Sequence, residues 1–264
     1  MERLTFPKLN TWEGNCDIKT MARMRAKTYN ESPGSLGDYD CARCRNRGNF
    51  LRVRPDGSTW VEDCSCLKIR ANVRRLKQSG LEGFLREKTF AAFEAREDWQ
   101  KEILEGARAF AKKPEGWFVI CGQSGSGKTH LCTAICRELL LRGTDLQYLS
   151  WRQQIAGLKG LYEDPAQREQ VIGQLQTVPV LYIDDLLKTG GAEPTAADVA
   201  IALEILDSRS QSGRTTLIST ERMPGELLVI DEALAGRILE KAGDHLYSVT
   251  QDTSRNWRLR RLRS

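Results

Sequence analysis

The sequence lacks any long apolar segment. No apolar run approaches the roughly 18 residues that a membrane-spanning helix needs, and the N-terminus MERLTFPKLNTWEG lacks the basic-then-apolar pattern of a secretory signal. These absences predict a cytoplasmic protein with no membrane partner. Charged residues make up 28% of the chain and the mean hydropathy is −0.47, values typical of an ordinary globular protein.

The length of the chain predicts two domains, one of them small. Its 264 residues leave room for one full domain and one small additional unit. The net charge of +5 is unevenly distributed, because basic residues outnumber acidic ones in residues 1–80 and five arginines lie in the last ten residues. Charge alone is consistent with a polyanionic partner and equally with ordinary solvated faces.

Four of the eight cysteines form two close pairs, Cys41 with Cys44 and Cys64 with Cys66. Turn formers between the pairs, in Pro55-Asp56-Gly57, predict a hairpin. Because cytosolic thiols are kept reduced, the pairs argue against disulfides. Four thiolates at the ends of a hairpin suit a closed structural zinc site. An iron–sulfur cluster and unrelated buried thiols are the alternatives.

The other cysteines, Cys16, Cys121, Cys132 and Cys136, are predicted to be small buried apolar residues, with Cys16 as an alternative zinc ligand. A basic amphipathic helix follows the paired cysteines and is predicted to stop at Gly80. A second helix is predicted around 99–110. We therefore expect an N-terminal segment of uncertain role (1–35), a zinc-binding module with the basic helix (36–80), a helical linker (81–112) and a main domain (113–264).

The motif GQSGSGKT matches G-x-x-x-x-G-K-[ST] in full. It follows the apolar run 117–121, typical of a buried parallel strand, and precedes a helical pattern. Backbone amides in such a loop wrap phosphates, and the helix N-terminus favours their negative charge. We expect Lys128 to bridge the β- and γ-phosphates and Thr129 to hold Mg²⁺. The predicted nucleotide-binding residues are Gly122, Gln123, Ser124, Gly125, Ser126, Gly127, Lys128 and Thr129.

Two aspartates follow the next buried strand, 180–183. We expect Asp184 to reach Mg²⁺ through its water shell and Asp185 to orient or activate the attacking water. Two aspartates that merely cap the strand are the alternative. The sequence has no NKxD motif, which guanine specificity would normally require, so ATP is the favoured nucleotide.

A third strand, 216–218, ends in Ser219-Thr220-Glu221, where a sensor of the γ-phosphate would lie. A simple strand-to-loop cap is the alternative. Arg237 in DEALAGRILEK and Arg258 in RNWRLRR are candidates for reaching the γ-phosphate of a neighbouring protomer. The two histidines, His130 and His245, are assigned no role.

Together these elements resemble the replicative helicase loaders of the DnaC/DnaI type and their near relative, the transposase helper IstB. The resemblance extends over about residues 41–259. Its elements are the paired cysteines, SGL followed by KTFAAF, GQSGSGKTHL, YIDDLLK, LISTER, DEALAGRI and NWRLR. It implies an α/β fold, an AAA+ P-loop NTPase domain with a parallel sheet flanked by helices, preceded by a small N-terminal zinc-binding module.

The resemblance also implies roles for the site residues. Residues 122–129 become Walker A, Asp184 with Asp185 Walker B, Ser219 to Glu221 sensor 1, Arg237 the arginine finger and Arg258 the sensor 2 region. The sequence departs from the common AAA+ pattern at Asp185 and Glu221, where Glu and Asn are usual. These departures affect the assigned roles and leave the implied fold unchanged.

The implied function is that of an ATPase, with ATP, Mg²⁺ and Zn²⁺ as cofactors, that loads a helicase during DNA replication. The N-terminal segment would contact a hexameric replicative DNA helicase, the ATPase domain would bind single-stranded DNA, and ATP-bound protomers would self-associate and hydrolyse ATP between them. The alternatives are a transposition helper acting on double-stranded DNA and an ATP-gated adaptor with negligible turnover. The zinc module favours the loader, because the family's transposition members generally start without cysteine pairs.

Overall fold

The computed structural model describes residues 17–78, 82–252 and 255–260. The chain divides into two units, the first ending at Leu67 and the second beginning at Lys68. Two predicted features, the alternative ligand Cys16 and the helix stop at Gly80, lie outside the described residues. Residues 1–16 of the predicted N-terminal segment 1–35 lie outside them as well. Within the described ranges, no helix has the length and apolar character needed to cross a membrane.

The first unit is a helix beside a hairpin. Its elements are α1 (Ile18–Glu31), β1 (Asn49–Val53) and β2 (Thr59–Asp63). The two strands pair antiparallel, with Asn49 opposite Asp63 and Val53 opposite Thr59. Gly57 in the connecting turn has a φ of 91°, a conformation that glycine adopts without steric cost. The predicted hairpin between the cysteine pairs is confirmed.

Side-chain hydrogen bonds fix α1 to the hairpin. The Asn30 amide donates to the Leu51 carbonyl at 3.0 Å and accepts from the Leu51 N–H at 2.9 Å, as a neighbouring strand would. The Tyr29 hydroxyl donates to Asn49 Oδ1 at 2.8 Å. The Arg47 guanidinium lies over the Tyr29 ring, 4.2 Å from its centroid. A small unit with few buried apolar residues thus holds its helix largely through polar contacts.

The second unit is a parallel sheet flanked by helices. Its strands are β3 (Trp117–Gly122), β4 (Leu146–Ser150), β5 (Val180–Asp184), β6 (Thr215–Thr220) and β7 (Leu246–Val249). Helix α2 (Cys66–Gln78) begins in the last two residues of the first unit and continues into the second. The other helices of the second unit are α3 (Glu82–Glu87), α4 (Asp98–Lys112), α5 (Lys128–Leu141), α6 (Trp151–Gly160), α7 (Pro165–Thr177), α8 (Ala196–Gln211), α9 (Pro224–Ile230), α10 (Glu232–Ala242) and α11 (Trp257–Arg260). The strand order is β4-β5-β6-β3-β7, and every pairing is parallel. The predicted α/β architecture is confirmed.

The central strands are buried on both faces, as their continuous apolar sequences predict. Every residue of β3 and β5 is buried. Because strand side chains alternate, Val119 packs into the core on one side of the sheet, whereas Phe118 and Ile120 pack into the core on the other. Because β5, β6 and β3 are adjacent and parallel, their carboxyl ends meet at one edge of the sheet. The three sequence motifs follow these ends.

Arg209 on α8 is fully buried in the second unit. None of the acceptors that it bonds among the described residues is a carboxylate. Burial, followed by the charge of Arg214, lowers the pKa of Arg209 to about 9, so the guanidinium stays protonated at neutral pH. Its acceptors are the Thr216 hydroxyl and the carbonyls of Leu175, Gln176, Val178, Pro179 and Thr215. One side chain thus ties the end of α7 to the start of β6.

Replacing Arg209 with methionine should destabilise the second unit, because several buried carbonyls would lose their donors. We expect the free energy of unfolding in urea to fall by about 3 kcal/mol. The matched control is Arg152→Met, which removes an exposed arginine on α6 and should change stability little. Equal unfolding curves for the two variants would contradict this role of Arg209.

Candidate nucleotide-binding site

The loop between β3 and α5 is shaped by glycines. Gly122, Gly125 and Gly127 have φ values of 128°, 78° and 92°, which residues with a Cβ rarely adopt. A Cβ at Gly127 would lie 2.7 Å from the Phe93 ring, and one at Gly125 would lie 2.0 Å from Asn256 Oδ1. The backbone conformation therefore favours glycine at all three positions, and neighbouring side chains also approach closely at Gly125 and Gly127.

Lys128 is folded back onto this loop. Its ammonium donates to the carbonyls of Gly122 at 2.6 Å and Gln123 at 2.7 Å. Burial lowers the pKa of Lys128, and the charges of Glu221 and Asp185 act in the opposite direction. The loop thus holds a buried cation at its centre, as a site for phosphates requires.

The structure brings Thr129 and Asp184 together. The Thr129 hydroxyl donates to Asp184 Oδ1 at 3.0 Å, which joins the first turn of α5 to the end of β5. The same carboxylate accepts from the hydroxyls of Tyr182 at 2.6 Å, Tyr148 at 3.1 Å and Ser219. A P-loop hydroxyl beside a strand-end carboxylate is the arrangement that holds Mg²⁺ in P-loop NTPases. The donor set therefore fits magnesium.

The two tyrosines were not predicted from the sequence, because within apolar strands they look like core residues. Burial and then the charge of Asp184 raise the pKa of both Tyr148 and Tyr182, so both stay protonated and act as donors. Their hydroxyls fix the orientation of the Asp184 carboxylate.

A lysine joins the other two acids of the site. Lys188 donates to Asp185 Oδ2 at 3.0 Å and to Glu221 Oε1 at 2.8 Å. Burial alone would favour the neutral forms, so it would lower the pKa of Lys188 and raise the pKa of Glu221. Their ion pair outweighs burial, so the pKa of Lys188 is raised and that of Glu221 is lowered. The sequence alone predicts no role for Lys188, although its position three residues after Asp185 is a usable signal.

A cavity of about 380 Å³ opens beside the loop. This volume lies within the range of small-molecule sites. Residues 124–129 form one wall, and Phe93 and Trp257 contribute aromatic surface. The charged lining residues are Lys88, Glu94, Lys128, Asp185, Lys188, Glu221, Arg255 and Arg258. Cations outnumber acids among them, which suits an anionic ligand.

The C-terminal segment lies against the loop. The Trp257 N–H donates to the Gly125 carbonyl at 3.0 Å, and Arg258 Nη1 donates to Ser124 Oγ at 3.3 Å. The Gln123 side chain exchanges two hydrogen bonds with the backbone of Asp252. Arg258, predicted for the sensor 2 region, therefore lies at the cavity.

Residues 88–93 border the cavity from another side. The His130 ring bonds the Thr89 carbonyl through Nε2 at 2.8 Å and contacts Phe93 edge-on, with centroids 5.2 Å apart. Burial lowers the pKa of His130, which favours the neutral ring. Burial also lowers the pKa of Lys88. His130 thus anchors the segment that carries Lys88 and Phe93 to the start of α5.

Among the predicted site residues that do not line the cavity, Thr220 and Arg237 make contacts elsewhere. Arg237 on α10 pairs with Asp207 on α8 and donates to the Ala233 carbonyl at 3.0 Å. The Thr220 hydroxyl donates to the Leu186 carbonyl at 2.9 Å, so it supports the loop after β5. An arginine finger acts on a neighbouring protomer, so the role of Arg237 stays a prediction, as does that of Thr220.

The paired cysteines of the first unit meet in space. Their four buried sulfur atoms lie within 4.8 Å of one another, with Cys41 and Cys64 3.9 Å apart and Cys44 and Cys66 3.5 Å apart. Four sulfurs bound to zinc at about 2.3 Å would stand about 3.8 Å apart. Burial opposes ionisation of Cys44, but the Gly48 amide and then the other thiols lower its pKa to about 6. The cluster fits a closed zinc site.

Known proteins are similar to this chain in sequence. The family of IstB-like ATP binding proteins matches residues 65–263. The phage-like element PBSX protein XkdC of Bacillus subtilis is 31% identical over 219 residues, covering 79% of this chain and 81% of that protein. The replicative helicase loader DnaC of Escherichia coli is 26% identical over 181 residues, covering 67% and 72%.

Solved structures agree on the fold. DnaI matches with a TM-score of 0.52 at 21% identity, covering 66% of this chain and 92% of that chain. AMPPCP-bound DnaA from Aquifex aeolicus matches with a TM-score of 0.53 at 18% identity, covering 67% and 54%. These likenesses, with the five-stranded parallel sheet, show the AAA+ P-loop fold.

The cysteine geometry predicts one tightly bound zinc ion per chain. Elemental analysis of the purified protein should find zinc at a ratio near one, and Cys64→Ser should lose most of it, because three thiolates hold the ion less tightly. Cys136→Ala, which changes a buried cysteine in the core of the second unit, is the matched control and should keep its zinc. Iron in place of zinc, or full zinc content in Cys64→Ser, would contradict the assignment.

Proposed function

The chain belongs to the family of IstB-like ATP binding proteins, and from this premise we propose that it is an ATP-dependent helicase loader of DNA replication. The observation that carries the proposal is the contact of Thr129 with Asp184, in a chain that matches the replicative helicase loader DnaC over 67% of its length. A loader must switch between nucleotide states, and this contact joins the loop to the acidic strand end at the site of that switch.

The residues at the loop have distinct tasks in this proposal. The amides of 124–129 and Lys128 hold the phosphates, and Thr129 and Asp184 hold Mg²⁺. Bound ATP supplies the anhydride bond that is cleaved. Asp185 orients the attacking water and accepts a proton from it. Thr220 and Glu221 respond to the nucleotide state.

The proposed loader has three partners: a helicase, DNA and further copies of itself. The first unit, closed by zinc at its four cysteines, contacts a hexameric replicative DNA helicase in the cytoplasm, and the second unit binds single-stranded DNA. Protomers self-associate in the ATP state, and Arg237 reaches the neighbouring site. Arg237 and Asp207 are each about one-third exposed, at 34% and 37%, so their ion pair contributes little stability. Arg237 can therefore leave Asp207 at small cost when protomers meet.

A second candidate is a transposition helper that acts on double-stranded DNA, the role implied by the resemblance to IstB, whose name the matching family carries. The paired cysteines favour the loader instead, because they build a separate unit before the ATPase domain.

Binding to the helicase tests the proposal directly. The zinc-loaded full chain, immobilised in the presence of ATP and Mg²⁺, should retain the purified replicative helicase of the organism or element that encodes it. Cys64→Ser should retain much less, because the first unit would lose its metal, whereas Cys136→Ala should behave like the unaltered chain. Absence of binding by folded, zinc-loaded protein would count against a loader.

The form of DNA separates the two candidates. For a loader, we expect single-stranded DNA to change the rate of ATP turnover at concentrations where double-stranded DNA of the same sequence has no effect. Phosphate release measured with each DNA in turn gives the comparison. A response confined to double-stranded DNA would favour the transposition helper and contradict the loader.

A further inference from the structure

Lys188 occupies an unusual place in the candidate site. It lies between two carboxylates, Asp185 and Glu221, which stand at the ends of the neighbouring strands β5 and β6. All three side chains are partly buried, between 23% and 32% exposed. All three line the cavity beside the loop that carries Lys128. The cluster therefore has one positive charge for two negative charges.

The backbone on either side of Lys188 fixes its position between the two acids. Asp185 and Leu187 both have positive φ values, 58° and 60°, which cost energy in residues with side chains. The strain is offset by a firm anchor, since Leu186 and Leu187 are fully buried. The Leu186 N–H also donates to the Ser219 carbonyl at 2.9 Å, and the Lys188 N–H closes the turn onto the Asp185 carbonyl at 3.0 Å.

The two carboxylates act electrostatically on the phosphate loop. Glu221 and Asp185 line the same cavity as Lys128, the cation of the loop itself. Any polyphosphate held at Lys128 meets the same field. Without Lys188, two carboxylates inside a partly desolvated cavity would repel it, and the repulsion would grow with the number of phosphates.

We propose that Lys188 is a specificity-determining residue, which lets this site prefer a nucleoside triphosphate over a diphosphate by neutralising Asp185 and Glu221. The inference rests on the proposed ATP site and deepens it. A triphosphate brings more negative charge toward the acids than a diphosphate does. Lys188 therefore contributes most to the binding of the γ-phosphate.

The test compares equilibrium binding of Mg·ATP and Mg·ADP to the full chain by calorimetry. Lys188→Met should weaken ATP binding about tenfold and ADP binding less than about twofold, because repulsion acts mainly on the additional phosphate. Lys188→Arg should keep the preference for ATP. Lys101→Met, which removes an exposed lysine paired with Asp98 on α4, is the control and should change neither affinity.

Two further variants separate a charge effect from a structural one. Adding Glu221→Gln to Lys188→Met removes one of the two acids and should recover most of the lost ATP affinity. If Lys188→Met does not fold, Glu221→Gln alone tests the same balance and should strengthen ATP binding severalfold relative to ADP. Equal losses for ATP and ADP in Lys188→Met, or no gain from Glu221→Gln, would overturn the proposal. If the unaltered chain binds no Mg·ATP, the proposed function itself fails.

Discussion

The hydrogen bond from Thr129 to Asp184 joins the two parts on which the candidate site depends. One part is the glycine loop before α5, and the other is the acidic end of β5. Asp184 cannot turn away from Thr129, because the hydroxyls of Tyr148, Tyr182 and Ser219 hold its carboxylate in place. A magnesium ion bound here, as proposed, would meet a carboxylate already held in place by the protein, which is what efficient stabilisation of phosphate charge requires.

The sheet makes this contact possible. Because β5, β6 and β3 are parallel and adjacent, the residues after each strand meet at one edge. β5 supplies the aspartates, β6 supplies Glu221, and β3 leads into the loop. The cost is a concentration of acids next to an anion site, and Lys188 offsets it. At the opposite edge of the sheet, Arg209 donates to backbone carbonyls of the segment that leads into β5.

The features that the sequence predicted well are those whose determinants are local. The loop 122–129 needs only its own glycines and lysine, and the cysteine pairs need only their spacing and a hairpin. The ion pair of Lys188 with Glu221 depends on the order of the strands in the sheet, which is not local. The hydroxyls of Tyr148 and Tyr182 were hidden within apolar strands. The role of Arg237 depends on a neighbouring protomer, so a single sequence does not determine it.

The central claim is that the loop at 122–129 binds ATP with magnesium. Calorimetric titration of the folded full chain with Mg·ATP tests it most directly, with Lys128→Ala as the comparison. The account predicts one saturable site in the unaltered chain and a loss of affinity of roughly a hundredfold or more in the variant, because a buried cation is removed from the phosphate site. No saturable binding to folded protein at millimolar Mg·ATP would contradict it.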